Sequence, residues 1–298
     1  MTILVTGGTG QVGFELQRAL APLGQIDAPP RNQLELLDPA AVNSYLEARN
    51  PGLIVNAAAY TAVDRAESES ETAHALNARL PQILAEYAAE KGVWLIHYSS
   101  DYVYPGGGDA PWSETDAPGP LSVYGQTKLD GDVAIQNSGA NHLIFRTSWV
   151  YSARGHNFMK TMLRLGAEKE TLSIVNDQHG SPTPARLIAQ VTALALYRVL
   201  TDPAARSAQG IYHLAPRGTT TWQEFASAIF QVASEHGLQL KIDPTQVNGM
   251  ATQDYPTPAT RPLNSRLAID KSERTFGLQL PDWRQQLHQT IAEYIQQG

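Results

Sequence analysis

Tyr124 and Lys128 stand four residues apart in LSVYGQTK (121–128), the i, i+4 spacing that sets two side chains on one face of a helix. A lysine ammonium beside a phenol favours phenolate and draws the tyrosine pKa down from about 10. Such a tyrosine can donate a proton near neutral pH. Ser100 closes the apolar run VWLIHYSS (93–100). A hydroxyl at the carboxyl end of a buried strand can hydrogen-bond a carbonyl oxygen and polarise it. Gly7, Gly10 and Gly13 recur in TGGTGQVG (6–13), directly after the apolar run TILVT. The first glycine permits a sharp turn out of a strand. The second lets backbone approach a diphosphate, and the third lets helix and sheet pack closely. A helix opening there points free N–H groups and a partial positive charge at phosphate. Each piece alone has a plain reading: a Gly-rich turn, a polar strand end, two polar residues on a helix. Their order along the chain favours a dinucleotide held beside a carbonyl.

The elements that must hold these residues alternate through the first half. TILVT (2–6), GLIVNAAA (52–59), VWLIHYSS (93–100) and HLIFRTSW (142–149) read as buried strands. Helical spacing follows at 11–22, 38–50, 71–92 and 121–139, with Asp38 as an N-cap and Gly92 as a stop. Strands apolar on both faces, alternating with helices, predict an α/β fold: a Rossmann-type, doubly wound parallel sheet. After about residue 150 the pattern loosens. Helices are predicted at 156–167, 184–200, 221–236 and 281–297, with short strands at 171–176, 210–214 and 239–243. The Pro-, Thr- and Asn-rich stretch 244–266 reads as an ordered loop. The expected organisation is a dinucleotide-binding domain over 1–148, to which parts of 170–220 return. A smaller, discontinuous α/β substrate-binding domain occupies mainly 149–298.

The chain has 298 residues and a formal charge of −7, from 22 basic and 29 acidic side chains. An acidic chain without a basic run is a poor nucleic-acid partner, because such binding begins with phosphate neutralisation. An anionic ligand must then be met locally by a few arginines. With no cysteine there is no disulfide, thiolate metal site or cysteine nucleophile. The start MTILVTGG has neither the basic lead nor the long apolar stretch of a signal peptide. No apolar run reaches membrane-spanning length. The expectation is a soluble cytoplasmic protein without a membrane partner.

The choice of nicotinamide turns on the end of the second strand, within QIDAPPRNQLELLD (25–38). Asp27 falls too early there to hold a ribose 2′-hydroxyl, and Arg31 stands where a 2′-phosphate would be met, which favours NADPH over NADH. The plain reading of Arg31 is a solvated surface charge. Small residues in NAAAYT (56–61) leave room for the adenosine half of a cofactor, or simply for close helix packing.

The glycine turn, the strand-end serine and the Tyr-x-x-x-Lys pair together resemble the extended short-chain dehydrogenase/reductase family. The resemblance runs over nearly the whole chain and is closest to its dTDP-4-dehydrorhamnose reductase branch. It is carried by TGGTGQVG, VNAAAYTAVDRAE, HYSSDYVYPGGG, YGQTK, FRTSWVY, NDQHGSPT and RPLNSRL. It implies NADPH-dependent reduction of the 4-keto group of dTDP-4-dehydro-L-rhamnose to dTDP-L-rhamnose. Tyr124 would donate the proton, Lys128 would hold the nicotinamide ribose, and Ser100 would bind the carbonyl oxygen. Asp101 and Trp149 would contact the sugar. Gly10, Gln11, Val12, Ala59, Tyr60 and Thr61 would contact the cofactor. Related dehydratases carry Asp-Glu after the strand-end hydroxyl, whereas here Ser100-Asp101-Tyr102 lacks the glutamate, which argues against dehydration. Epimerases share the serine and the Tyr-Lys pair, and regulatory relatives keep the fold alone. Another nucleotide-sugar reductase or epimerase, or a cofactor-binding regulatory subunit, are therefore the competing readings.

A nucleotide diphosphate calls for arginine. Arg261 and Arg266 in RPLNSRL and Arg146 in FRTSWVY are the candidates, each equally able to tie loops together. The eight histidines show no metal spacing such as H-E-x-x-H. Some members of the resembling branch share magnesium between subunits of a homodimer through glutamates. Glu15 and Glu293 match two such positions and Arg186 stands at the third, so an arginine could pair with those carboxylates without metal.

Overall fold

The computed structural model describes residues 1–297. The first half forms β1 (Thr2–Thr6), α1 (Gln11–Ala19), β2 (Gln25–Asp27), α2 (Pro39–Arg49), β3 (Leu53–Asn56), α3 (Val63–Ala66), α4 (Ser70–His74), α5 (Leu80–Lys91), β4 (Trp94–Ser100), α6 (Val123–Asn137) and β5 (Asn141–Thr147). The second half forms β6 (Val150–Tyr151), α7 (Phe158–Glu168), β7 (Leu172–Val175), β8 (His179–Gly180), β9 (Thr183–Pro184), α8 (Ala185–Thr201), β10 (Gly210–His213), β11 (Thr220–Thr221), α9 (Trp222–Glu235), β12 (Val247–Met250), α10 (Asp270–Phe276) and α11 (Trp283–Gln297).

Six parallel strands make one sheet in the order β10-β5-β4-β3-β1-β2. The chain leaves β1 for β2 on one side, then crosses to β3 on the other. That reversal leaves a crevice at the carboxyl ends of β1 and β3. The register aligns Thr6 with Asn56, Asn56 with His97, and Ser100 with Thr147, so the polar strand ends meet along one edge. Alternate side chains feed two cores. Ile3, Val5, Val55 and Phe145 pack with Leu16 of α1 and Ile188 of α8. Leu4, Ile54 and Ile144 pack on the opposite face with Leu46 of α2, Leu84 of α5 and Ile135 of α6. A third core joins α7, α9 and α11 through Met162, Phe225, Phe230 and Trp283.

Local chemistry sets the boundaries. Asp38 Oδ1 accepts from the amides of Ala40 at 2.9 Å and Ala41 at 3.2 Å, which starts α2. Gly92, at φ +67°, ends α5. The long helix expected over 71–92 is interrupted by a π turn at Ala75–Arg79. Pro81 has no N–H for the carbonyl four residues back, which favours the wider turn. That turn aims Asn77 at the site: its side chain accepts from Tyr60 N at 2.8 Å and donates to Tyr60 O and Thr127 Oγ1, each at 3.1 Å.

Three expectations need correction. No strand forms at 239–243; the amides of Lys241 and Ile242 bond to Gly166 O, and Pro244 opens a 3-10 turn. The strand is instead β12, inside the stretch read as a loop, where it pairs in parallel with β7. The first helix ends at Ala19, because Pro22 lies in a 3-10 turn over Ala21–Leu23. Asp27 does not fall early: it is the last residue of β2.

Candidate functional site

A cleft of about 1030 Å³ lies over the carboxyl edge of the sheet. It runs from the glycine turn, past Ser100, Tyr124 and Lys128, to Trp149 and Trp222. Gly7 sits at φ +68°, and a Cβ there would lie 2.7 Å from the backbone of Ala57 and Ala58. A Cβ on Gly13 would lie 2.1 Å from Gly7 O, so helix and turn can meet only without side chains. Gly10 caps α1 and no side chain accepts from the first-turn amides. A glycine-walled turn with uncapped amides at the order reversal fits a dinucleotide diphosphate.

The reacting end is buried. Ser100 Oγ donates to Asp101 Oδ1 at 3.1 Å and accepts from Tyr102 N at 3.2 Å. The Tyr102 ring meets Tyr124 edge-on, centroids 5.4 Å apart. Burial pushes the Tyr124 phenol up to about 12, against the lowering effect of Ser100. Lys128 is 1 % exposed. Its Nζ donates to Tyr98 O at 2.6 Å and lies 3.3 Å from His97 Nε2. Burial pulls its pKa down to about 8, and the Asp132 carboxylate opposes the fall. The expected lowering of the Tyr124 pKa by Lys128 is therefore not found. Desolvation dominates the phenol, and the ammonium is turned onto Tyr98 and His97. Asp101 is pushed up to about 6 by burial, with Ser265 and Ser100 opposing. Behind the lysine a polar chain leads back to the glycine turn. Thr6 Oγ1 lies 2.6 Å from Asn56 Oδ1, and Asn56 Nδ2 lies 3.1 Å from His97 Nδ1.

Gly7, Gly10, Gln11, Val12, Arg31, Ala59, Tyr60, Thr61, Ser100, Asp101, Tyr124, Lys128 and Trp149 all line the cleft, while Gly13 lies beneath it in the turn. Arg31 pairs with Glu35 at 3.0 Å and is otherwise solvated. Asp27 is held by Tyr45 Oη at 2.8 Å and Arg49 at 3.6 Å, and does not line the cleft. Trp149 has φ +48° and stacks on Trp222, centroids 3.8 Å apart.

The three arginines expected at a diphosphate are not among the lining residues. Arg146 is buried against Asp132 at 3.0 Å. Arg261 pairs with Asp64 at 2.8 Å, and Arg266 Nη1 donates to Asn264 Oδ1 at 3.1 Å. Each ties backbone segments together instead. Arg186 reaches Glu293 at 2.5 Å and Glu15 at 3.9 Å within one chain. Among the described residues no group of three His, Cys, Asp or Glu is placed to hold a metal ion. Sequence reasoning missed Tyr102, Arg154 and Trp222, which also line the cleft, and His97 beneath it. Tyr102 was legible as the neighbour of Ser100-Asp101. Arg154 and Trp222 carry no spacing signal.

A parallel sheet with its glycine turn at β1–α1, and serine, tyrosine and lysine at the carboxyl edge, defines a Rossmann-type oxidoreductase of the extended short-chain class. Residues 1–296 match the RmlD substrate binding domain family, and the chain belongs to it. It is 49% identical to the dTDP-4-dehydrorhamnose reductase of Salmonella typhimurium, over 98% of each chain. The crystal structure of a dTDP-4-dehydrorhamnose reductase from Clostridium acetobutylicum superposes with a TM-score of 0.89 at 32% identity, covering 100% of both chains. That of Bacillus anthracis, in complex with NADP, gives 0.86 at 32% identity, covering 98% of this chain and 99% of that one.

Proposed function

We propose that this chain reduces the 4-keto group of dTDP-4-dehydro-L-rhamnose with NADPH, giving dTDP-L-rhamnose. One observation carries the reading. Ser100 and Tyr124 line one end of the cleft that begins at the glycine turn, close enough for the Ser100 hydroxyl to lower the Tyr124 pKa. Two hydroxyls so placed can both meet one carbonyl oxygen. Ser100 polarises it, and Tyr124 donates its proton as negative charge develops there. The bound nicotinamide supplies the hydride. Lys128, fixed by Tyr98 and His97, holds the nicotinamide ribose and places a positive charge behind the phenol. Trp149 and Asp101 bound the sugar. Arg31, at the open end beside Pro29, receives the adenosine 2′-phosphate by exchanging Glu35 for it. Residues 1–148, with parts of 170–220, bind the cofactor, and 149–298 mainly the sugar nucleotide. Among the described residues no helix is long and apolar enough to cross a membrane. The reading places the reaction in the cytoplasm, and the intrachain contacts of Arg186 with Glu15 and Glu293 would let a homodimer form without bridging magnesium.

The test is NADPH consumption with dTDP-4-dehydro-L-rhamnose and product analysis, with NADH in parallel. Wild type should form dTDP-L-rhamnose and prefer NADPH. Tyr124→Phe should lose roughly 10²–10⁴-fold in turnover while binding cofactor within about twofold of wild type. Full turnover by Tyr124→Phe would remove the proton-donor role. Cofactor binding by wild type without turnover would move the assignment to another keto sugar or to a regulatory subunit.

A further inference from the structure

We propose that Arg154 binds the bridging diphosphate of the nicotinamide cofactor, carried there by a strap, residues 152–157, that is locked onto the glycine turn. The proposal rests on the cofactor reading above and adds to it a residue that neither motif spacing nor resemblance had singled out. The cleft is lined by three lysine or arginine side chains, Arg31, Lys128 and Arg154. Arg31 is held by Glu35 at the Pro29 end, and Lys128 is buried against Tyr98 and His97. Arg154 has no carboxylate within ion-pair distance among the described residues. Its guanidinium lies on the ring of Phe14 in the first turns of α1, with Cζ 3.7 Å from the centroid. Arg18 lies on the same ring at 3.5 Å. Two guanidinium groups thus share one ring. The nearby carboxylate, Glu15, is already shared with Arg186. A chain of net charge −7 thus gathers two like charges beside the turn that fits a diphosphate.

The strap explains how Arg154 comes to be there. Asn157 Nδ2 donates to Gln11 Oε1 at 2.8 Å, and Ser152 Oγ lies between Arg154 O at 2.7 Å and Gln11 Oε1 at 3.0 Å. Asn157 Nδ2 also donates to Ser152 O at 2.8 Å, and Asn157 Oδ1 caps α7 by accepting from Lys160 N at 3.1 Å. Gly155 turns at φ +68°, where a Cβ would lie 3.1 Å from Gln11 Cγ. Ser152 and Asn157 are buried while Arg154 is exposed. The backbone is therefore fixed against the residue after Gly10, and only the side chain is free to move. An exposed contact with an aromatic face is weak beside a charge-assisted pair with phosphate. Phe14 gives the guanidinium a weak contact that a diphosphate would replace.

The experiment is direct binding of NADPH, NADH and dTDP to wild type, Arg154→Gln, Arg154→Lys and Phe14→Leu, followed by quenching of tryptophan fluorescence at low and moderate salt. Arg154→Gln should weaken NADPH and NADH alike, by about tenfold or more, and flatten the salt dependence. Arg154→Lys should recover part of the loss. Phe14→Leu, which removes the resting contact but keeps the charge, should bind within about threefold of wild type. Saturated turnover of Arg154→Gln should stay within about twofold, with the effect in KM for the cofactor. Equal affinities for wild type and Arg154→Gln would overturn the proposal. So would a loss confined to NADPH, which marks a 2′-phosphate contact, or one confined to dTDP, which marks the substrate. A wild type that binds neither dinucleotide would overturn the cofactor reading itself.

Discussion

Burying Lys128 costs stability at neutral pH, and the cost can be measured by removing the charge. The side chain is 1 % exposed, and burial lowers its pKa from 10.5 to about 8. A fall of that size corresponds to about 3 kcal/mol of folding free energy lost while the lysine is charged in both states. The unfolded chain keeps the proton up to 10.5, whereas the folded chain releases it near 8. Between those values the unfolded state binds more protons, so this group's contribution to stability rises with pH. Lys128→Met removes the charge and also the hydrogen bond to Tyr98 O, which is worth about 1 kcal/mol. At pH 7 the variant should therefore be the more stable protein, by roughly 1–2 kcal/mol. As pH rises towards 10.5, wild type should gain on it by about 3 kcal/mol and overtake it. Urea unfolding of both cofactor-free proteins across that range gives the difference directly, because the other titrating groups are common to both. The same variant should lose turnover at every pH. A difference that stays constant within about 1 kcal/mol across the range would refute the argument that a buried ammonium is kept against a stability cost.

Two further substitutions probe buried charge. Arg146→Met leaves the fully buried Asp132 with Ser99 at 2.9 Å and Lys128 as its remaining support, and should destabilise by about 3–5 kcal/mol in calorimetry. Pairing it with Asp132→Asn should restore at least half of that, and no restoration would show that the loss is one of packing. Arg186→Ala takes a counter-charge from Glu15, whose pKa is already raised, chiefly by burial. A carboxyl raised in the fold destabilises above its folded pKa and is relieved as acid protonates it. The loss, about 1 kcal/mol after solvent screening, should therefore be larger at pH 7 than at pH 5. Sedimentation of wild type should not respond to magnesium or chelator, and equal losses at both pH values would reject the carboxylate argument.

Most of the sheet was legible because β1, β3, β4 and β5 are short apolar runs separated by helical stretches. The glycine positions were legible for a sharper reason: close backbone approach forbids any other residue at Gly7 and Gly13. Where local pattern misled, tertiary packing decided. Leu240 and Ile242 look like strand residues but pack against α7 and α9, while Val247–Met250, inside a Pro-, Thr- and Asn-rich stretch, finds a strand partner in β7. The arginines were the least legible part of the site. A guanidinium serves a loop as well as a phosphate, so type and spacing could not tell Arg146 and Arg261, which are tied to Asp132 and Asp64, from Arg154, which lines the cleft.

The Tyr-Lys pair shows why spacing could identify the participants but not their ionisation. The i, i+4 rule places Tyr124 and Lys128 on one face, yet a face fixes direction and leaves the dielectric open. Around this pair the dielectric is low, so both groups move towards their neutral forms, the phenol up to about 12 and the ammonium down to about 8. A phenol at that level is fully protonated at neutral pH, which is the form a proton donor must start in. In the proposed reaction the alkoxide would be more basic still, so the proton would move downhill without a prior lowering of the phenol. The lysine charge would matter after the transfer, when a phenolate would stand beside Ser100 and a nearby cation. Asp132 and Arg146 are buried behind the pair, and the Asp132 carboxylate favours the charged lysine. Asp132, the partner of the Arg146 first read as a diphosphate candidate, therefore helps to keep Lys128 charged near neutral pH.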